Sequence, residues 1–319
     1  MRKSEKINKA LFGWLPVEMQ DSIGKLRRYS AIGRKGEGNP IVMRVDGTTF
    51  HGGLADRWKG IVSLFALSKV LHRDFRIYYT YPFRLTEFQV PNLYDWRISD
   101  TQISRNLINT KMLRLAGDAT LERVQSLPEN KQIHAYANRD WLDIINSTYG
   151  TSFRWGELFN QLFKPSEALQ EALSEYGGHT SEPYIAVAFR MQNLLGDYQE
   201  YEYKPASEER QKEIIAACIS FLKRLHEKEN MPVLVTSDSG RMSQEASLLP
   251  FVFSTRGEAA HADTVCDQAK EVYMKSFVDF YMLAGAEKIY APATKEMYRS
   301  DFPRYAALVY DKEFARVDL

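Results

Sequence analysis

The sequence predicts an α/β fold built from two successive halves, each with its own parallel sheet. Residues 41–81 run from a short apolar stretch through a helical pattern to a second stretch rich in β-branched and aromatic residues, which is the order of a βαβ unit. The same alternation resumes after a cluster of chain-breaking residues at 177–183. A chain of 319 residues is long enough for two domains of ordinary size.

The elements of the first half follow from their hydrophobic patterns. Apolar residues recur at helical spacing over residues 1–28, which predicts one or two amphipathic helices in an N-terminal extension of residues 1–40. Residues 41–45 are typical of a short buried strand, and a loop with three glycines follows at 46–53. The remaining elements predicted in this half are a helix at 54–71, strands at 74–81 and 133–137, and helices at 155–163 and 166–176 separated by Pro165.

The second half alternates strands and helices more regularly. We place the junction in the breaker cluster, so that the first domain is predicted to cover residues 41–180 and the second residues 181–319. The predicted strands are at 184–189, 233–236, 251–253 and 288–291, and the predicted helices are at 207–229, 243–249, 267–284 and 294–307. Two α/β halves of this kind favour ligand binding at the carboxyl ends of their strands.

Composition excludes several classes of function. The chain has 42 Lys and Arg against 41 Asp and Glu, so no global charge favours nucleic acid or an anionic membrane. Its two cysteines, Cys218 and Cys266, form no Cys-x-x-Cys pair and are expected to be inert. No secretory signal or membrane-spanning stretch is recognisable, so we expect a cytoplasmic protein with no transmembrane segment. Neither zinc-ligand spacing nor Asp-x-Asp occurs, so no metal or other cofactor is predicted.

The first candidate site is the loop that joins the first strand to its helix. His51, Gly52 and Gly53 precede the helix, with Arg57 in its first turns. Glycines let backbone amides approach a ligand, and the start of a helix favours an anion. The loop matches neither a P-loop nor the dinucleotide fingerprint, so an ordinary turn between a strand and a helix remains the alternative.

Three further candidates follow strands of the second half. Arg190 comes directly after the strand at 184–189, where a guanidinium suits bidentate phosphate binding, although a surface salt bridge would explain it equally. Asp238 follows the strand at 233–236, where an acid often binds ribose or base. Ser300 lies near the start of the last predicted helix, where its hydroxyl could hold a phosphate.

Several segments resemble the motifs of one enzyme family. The run Gly52-Gly53-Leu54-Ala55-Asp56-Arg57-Trp58-Lys59-Gly60 resembles the first motif of the superfamily that contains the rhizobial nodulation-factor, plant xyloglucan and protein O-fucosyltransferases. The similarity continues in the same order over most of residues 41–307, at Tyr81-Pro82-Phe83, at residues 158–166, at the strand ending before Arg190, at residues 279–283, and at Ser300-Asp301-Phe302-Pro303.

The resemblance implies a GT-B fold, in which two Rossmann-like domains face each other across a cleft. It also implies that the second domain binds GDP-fucose without a metal, that Arg190 contacts the diphosphate, and that Ser300 lies near the phosphates. An acid in the last third contacts the guanine region, and Asp238 and Asp279 are the two matching positions. The predicted nucleotide-sugar contacts are Gly52, Gly53, Arg57, Arg190, Asp238, Asp279 and Ser300.

Two departures from the family pattern bear on function. Ala188 occupies the position of the family histidine in His-x-Arg-x-Gly-Asp, and residues 191–195 lengthen the loop before Gly196 and Asp197. The donor could therefore be another sugar nucleotide, or the chain could be a non-catalytic carbohydrate- or nucleotide-binding protein on the same fold. Sulfate transfer from a nucleotide donor is a rival enzyme class, but the P-loop-like segment it requires is absent.

The predicted function is inverting, metal-independent transfer of a sugar, fucose from GDP-fucose, to a glycan acceptor. Arg190 would stabilise the leaving diphosphate, and a base would take the acceptor proton. His51 is the first choice for that base and Glu87 the second, while a loop histidine without a role is the alternative for His51.

Overall fold

A computed structural model describes residue 25 and residues 28–49, 51–115, 121–197, 204–257 and 271–319. The chain divides into two compact units, the first formed by Met1–Leu85 and Pro91–Phe163 and the second by Thr86–Val90 and Lys164–Leu319. The division falls before the breaker cluster at 177–183, because the helix Glu167–Ser174 packs against the helix Glu271–Ala284 of the second unit.

The first unit contains a four-stranded parallel sheet in the order β2-β1-β5-β4. The long helix α1 packs on this sheet, and its Gly60 lies against the backbone of Ala137 at the end of β5. The elements of this unit are β1 Ile41–Val45, α1 Leu54–Val70, β2 Phe75–Tyr79, β4 Thr110–Leu115, α2 Glu122–Gln125, β5 Gln132–Ala137, α3 Leu142–Tyr149 and α4 Trp155–Leu162. The 3-10 turn Leu85–Glu87 and the strands β3 Gln89–Pro91 and β6 Phe163–Pro165 lie where the chain passes from one unit to the other, and β3 and β6 pair as a small separate sheet.

The second unit contains a five-stranded parallel sheet in the order β11-β10-β7-β8-β9. Its strands β7 and β8 and the inner face of α7 form a continuous apolar core. The elements are α5 Glu167–Ser174, α6 Gly177–Thr180, β7 Ile185–Phe189, α7 Glu208–Glu229, β8 Val233–Ser237, α8 Gly240–Ser247, β9 Val252–Ser254, α9 Glu271–Ala284, β10 Lys288–Ala293, α10 Phe302–Val309 and β11 Glu313–Asp318.

Each sheet has a point where the strand order reverses. In the first unit the chain moves from β1 outward to β2 and later returns to the other side of β1 with β5. In the second unit it moves from β7 through β8 to β9 and then crosses to β10 on the other side of β7. Ligands of open parallel sheets bind outside the carboxyl ends of the two strands at such a point. Binding crevices are therefore expected at β1 and β5 and at β7 and β10.

The predicted strands are confirmed, with small changes at their ends. The edge strands β4 and β11, the short pair β3 and β6, and the helices α2, α3 and α6 were not predicted. The last predicted helix, at 294–307, begins only at Phe302. The helices predicted over residues 1–28, apart from Lys25 and Arg28, lie outside the described residues, as does Cys266. Within the described part of the chain, no helix combines the length and apolar character needed to cross a membrane.

Candidate functional site

Arg190 and Asp238 meet at the carboxyl edge of the second sheet. Strands β7 and β8 are parallel neighbours, with Phe189 beside Ser237, so the residues that follow them come together across 48 positions of sequence. The Arg190 Nη1 atom lies 2.8 Å from Asp238 Oδ2. The Asp238 side chain is 4% exposed and that of Arg190 21%, so the guanidinium keeps a surface toward solvent while the carboxylate does not.

The Asp238 carboxylate also fixes the backbone that follows Arg190. Its Oδ1 accepts from the Met191 amide at 2.7 Å, and its Oδ2 accepts from the Gln192 amide at 2.7 Å. Burial raises the pKa of Asp238, although Arg190 and these two amides act in the opposite direction. Asp238 thus orients Arg190 and its loop, and its predicted contact with guanine stays a prediction.

The loop after Arg190 is longer than the family pattern but still delivers an acid to the next helix. Asp197 Oδ2 accepts from the Ser239 hydroxyl at 2.8 Å and from the Arg241 amide at 2.9 Å. Ser239 is the N-cap of α8, and its Oγ accepts from the Met242 amide at 3.1 Å. The protein's own side chains therefore occupy the start of α8.

Asp279 belongs to a separate buried network on α9. Lys275 Nζ lies 2.9 Å from Asp279 Oδ2 and donates to the Thr255 hydroxyl at 2.7 Å, and Thr255 in turn donates to Asp279. Thr255 directly follows β9, which is at the edge of the sheet. The structure therefore gives Asp279 a paired cation and a hydroxyl, and its contact with guanine likewise stays a prediction.

Ser300 lies in the connection from β10 to α10, after the strand that neighbours β7 at the reversal of strand order. Its Oγ accepts from the Phe302 amide at 3.1 Å, and the residue is half-buried. The next residue, Asp301, pairs with Arg316 at 2.6 Å. Arg190 and Ser300 thus follow the two strands between which a ligand is expected.

Glu87, the second candidate base, belongs to the second unit by its contacts. It ends the 3-10 turn, is half-buried, and its carbonyl accepts from the Ser166 hydroxyl at 2.8 Å. The neighbouring Phe88 stacks on Phe277 of α9 with ring centroids 4.4 Å apart. Its backbone is therefore held in place, and its role as a base stays a prediction.

His51, the first candidate base, is buried in the first unit. The side chain is 1% exposed, and its ring packs against Tyr136 with centroids 4.5 Å apart. Neither ring nitrogen has a partner of full hydrogen-bond geometry among the described residues, although the Arg44 backbone is close enough to raise the pKa of the ring. Burial, followed by repulsion from Arg57, lowers the pKa of His51 to about 3. A histidine with such a pKa is neutral and a weak base at neutral pH.

Gly52, Gly53 and Arg57 form the start of α1. Gly52 has φ +80°, a conformation that favours glycine, and Gly53 is the N-cap. Arg57 is fully buried and donates to the Tyr79 hydroxyl at 2.6 Å, to the Tyr81 carbonyl at 3.1 Å, and from Nε to the Gly52 carbonyl at 3.3 Å. The structure thus uses Arg57 to hold the glycine loop, and ligand contact by these three residues stays a prediction.

A polar group beside this loop was not predicted from the sequence. Arg44, in the middle of β1, pairs with Asp46 and donates to the Tyr29 hydroxyl at 2.6 Å. Tyr29 in turn lies 2.6 Å from His134 Nδ1 on β5. The signal was present, because an arginine and a histidine interrupt two otherwise apolar strands.

No metal centre accompanies these groups in the part of the chain that the structure covers. Within the described ranges, no three or more His, Cys, Asp and Glu side chains are grouped so that they could hold a metal ion.

Comparison with solved structures identifies the fold of this chain. The sequence matches no known protein family and no curated protein at a significant level. Among solved structures, it is similar to NodZ α-1,6-fucosyltransferase co-crystallised with GDP, an enzyme from Bradyrhizobium, with a TM-score of 0.53 and 15% identity over 86% of this chain and 93% of NodZ.

Two further structures agree. A mutant of Arabidopsis thaliana FUT1 in complex with GDP has a TM-score of 0.52 and 14% identity, covering 98% of this chain and 77% of its own. POFUT1 in complex with GDP has a TM-score of 0.52 and 9% identity, covering 89% of this chain and 99% of its own. The two parallel sheets described above are therefore those of an α/β chain with the fold of these fucosyltransferase structures.

Proposed function

We propose that this chain is an inverting glycosyltransferase that transfers fucose from GDP-fucose to a glycan acceptor without a metal ion. The observation that carries the proposal is Arg190, which Asp238 orients at the reversal point of the second sheet. The support from outside the chain is its fold, because the similar structures named above are fucosyltransferases with GDP bound. The two units would form the two halves of a GT-B enzyme.

Arg190 has the chemistry that the leaving group requires. In an inverting transfer the acceptor hydroxyl attacks the anomeric carbon from the face opposite GDP, the bond to the β-phosphate oxygen breaks, and a base takes the hydroxyl proton. Negative charge then develops on the diphosphate, and a planar guanidinium can donate two hydrogen bonds to it. Ser300, after the neighbouring strand, would contribute a hydroxyl to the same phosphates.

Two residues compete for the role of the base. His51 has a pKa of about 3, so it can take a proton at neutral pH only if bound substrate brings negative charge to it. Glu87 is the second candidate. Rates of the His51→Gln and Glu87→Gln variants against pH would distinguish them.

Replacement of Arg190 tests the proposal most simply. Arg190→Ala should weaken GDP binding about tenfold to a hundredfold, since a charge-assisted contact contributes about 1.5–3 kcal/mol, and it should slow transfer further. Arg190→Lys should restore only part of both, because an ammonium group lacks the two-donor geometry. The measurement is GDP affinity by calorimetry and transfer rate for each variant.

The control is Arg224→Ala, which removes one exposed arginine from α7 of the same unit. It should leave GDP affinity unchanged. A folded Arg190→Ala protein with the affinity and rate of the wild type would remove Arg190 from the site, and Arg241 and Lys275 would be the next cations to test.

The alternative is a non-catalytic nucleotide- or carbohydrate-binding protein, and Ala188 in place of the family histidine is the observation that favours it. Slow hydrolysis of GDP-fucose without acceptor distinguishes an enzyme from a binding protein. We expect hydrolysis, and we expect it to continue in EDTA. Loss of turnover in EDTA with recovery on adding manganese would contradict the metal-independent part of the proposal.

A further inference from the structure

A second group of polar residues lies at the reversal point of the first sheet, where β1 and β5 end. Three arginines approach it from different elements: Arg44 from β1, Arg114 from the end of β4, and Arg28 from the segment before Tyr29. We call Arg28, Arg44 and Arg114 the first-unit arginine cluster.

The cluster carries more positive than negative charge. Burial is the main cause that lowers the pKa of Arg28. Asp46 and Tyr29 act to raise it, and Arg44 and Arg114 are close enough to lower it. The acid among them is Asp46, which pairs with Arg44. The adjacent loop adds Arg57 and the carboxylate of Asp56, and the latter pairs with Lys59 at 3.1 Å.

Two buried side chains in this group have polar atoms that the described residues do not fully pair. Arg44 is 8% exposed, and its Nε atom has no partner in the described part of the chain. His51 is 1% exposed, and neither of its ring nitrogens has a partner of full hydrogen-bond geometry there, although the Arg44 backbone is close enough to raise the pKa of the ring. Buried polar atoms in folded proteins are almost always paired, so the unused Arg44 Nε and the incompletely paired His51 ring are groups that a ligand could use.

Contacts tie His51 to the cluster. Its ring lies on Tyr136, and Arg114 lies over the same Tyr136 ring at 5.6 Å from the centroid. The charged groups that influence the pKa of His51 are Arg57 and Arg28, which repel a proton, and Asp46, which attracts one. Cations outnumber acids around His51, so a negative ligand group placed beside it would be attracted on balance.

We propose that the first-unit arginine cluster and His51 bind an anionic group, a carboxylate or phosphate, carried by the acceptor sugar. The assignment to an acceptor rests on the proposed function, whereas the preference for an anion follows from the charges and unused donors of this unit. An anion would also raise the pKa of His51, as a base role for that residue requires.

The proposal is tested by adding small sugars to the whole chain and monitoring the NMR signals of its histidine side chains. The His51 ring signals, assigned by comparison with His51→Gln, should shift on addition of glucose 6-phosphate or glucuronic acid and not on addition of glucose. Arg28→Gln and Arg114→Gln should each weaken the charged sugars about tenfold, the effect of one lost charge-assisted contact. Arg97→Gln, which removes an exposed arginine paired with Asp95 in the same unit, should leave them unchanged.

This titration separates the anion site from the proposed donor site. The titration contains no nucleotide, and the response of the His51 signals to charged sugars should persist in Arg190→Ala. Failure of the donor assignment would therefore leave the anion-site proposal intact. Unchanged His51 signals with both charged sugars would overturn the proposal. Wild-type affinity in both arginine variants would do the same, as would inorganic phosphate that binds as tightly as glucose 6-phosphate.

Discussion

At the scale of single residues, Asp238 is the group on which the proposed donor site depends. Its carboxylate is bound to the Arg190 guanidinium and to the amides of Met191 and Gln192, all within 2.8 Å. It therefore fixes both the direction of the guanidinium and the path of the backbone beneath it. The residue acts through Arg190, so it is a positioning residue.

Asp238→Asn should weaken GDP binding and destabilise the fold by about 1–3 kcal/mol. The amide has the shape of the carboxylate but carries no charge. Its NH2 group would face an N–H donor from which the Oδ2 atom now accepts a hydrogen bond. Chemical denaturation and GDP affinity measure the two effects. Asp301→Asn, which removes a more exposed acid paired with Arg316, should change stability far less. An Asp238→Asn protein with wild-type stability and affinity would show that Arg190 does not need this partner.

His51 should make stability depend on pH. Its pKa is about 3 in the folded protein and about 6.5 when unfolded, so below pH 6.5 the unfolded chain binds more protons. Stability is then complete above pH 6.5 and is lost as pH falls toward 3, by about 2 kcal/mol at pH 5. Urea denaturation of wild type and His51→Gln at pH 7 and pH 5 isolates the effect. Equal losses in both proteins would contradict the buried, neutral state of His51.

Sequence patterns placed the candidate residues Arg190 and Asp238 in loops after strands, as the structure does, but could not supply their partners. Arg190 was identified because it follows an apolar strand, and the same rule identified Asp238. Their contact depends on β7 and β8 being neighbours, which no local pattern reveals. The network of Arg44 and Tyr29 was missed for the same reason, since its members come from separate elements.

At the scale of elements, the two strands of the main sheets that were missed, β4 and β11, both lie at an edge, whereas the edge strands β2 and β9 were predicted. The edge strand β11 reads Glu313-Phe314-Ala315-Arg316-Val317-Asp318, with exposed or half-buried residues throughout, so it lacks the apolar run that identifies a central parallel strand. The strand β4 is the other edge case. The late start of α10 has a local cause, because Pro303 is suited to the first turn of a helix and not to its interior.

The packing of α1 on β5 permits a sharp test. A Cβ added at Gly60 would lie 2.0 Å from the Ala137 carbonyl oxygen, a backbone atom that cannot move aside cheaply. Gly60→Ala should therefore destabilise the protein by about 1–3 kcal/mol or more, despite the better helix propensity of alanine. Gly178→Ala, where a Cβ meets nothing within 4 Å, is the matched control and should be close to neutral. A Gly60→Ala protein with the melting temperature of the wild type would show that α1 lies farther from β5 than this contact requires.

At the scale of the whole molecule, two α/β halves were predicted and two units with parallel sheets are observed. The position of the division differed, because α5 has the sequence pattern of an element that ends the first half but packs on α9 of the second unit. Such a contact joins residues about a hundred positions apart, whereas a run of glycine and proline marks only a local break. Each unit has its own reversal point, and we assign the donor to that of the second unit and the acceptor to that of the first.

The central claim is that the second unit binds GDP beside Arg190. A crystal structure of the protein with GDP tests it most directly. We expect nucleotide density outside the carboxyl ends of β7 and β10, with the diphosphate within hydrogen-bond distance of the Arg190 guanidinium and near the Ser300 hydroxyl. Density confined to the first unit, or a diphosphate bound in the second unit without contact to Arg190, would contradict it.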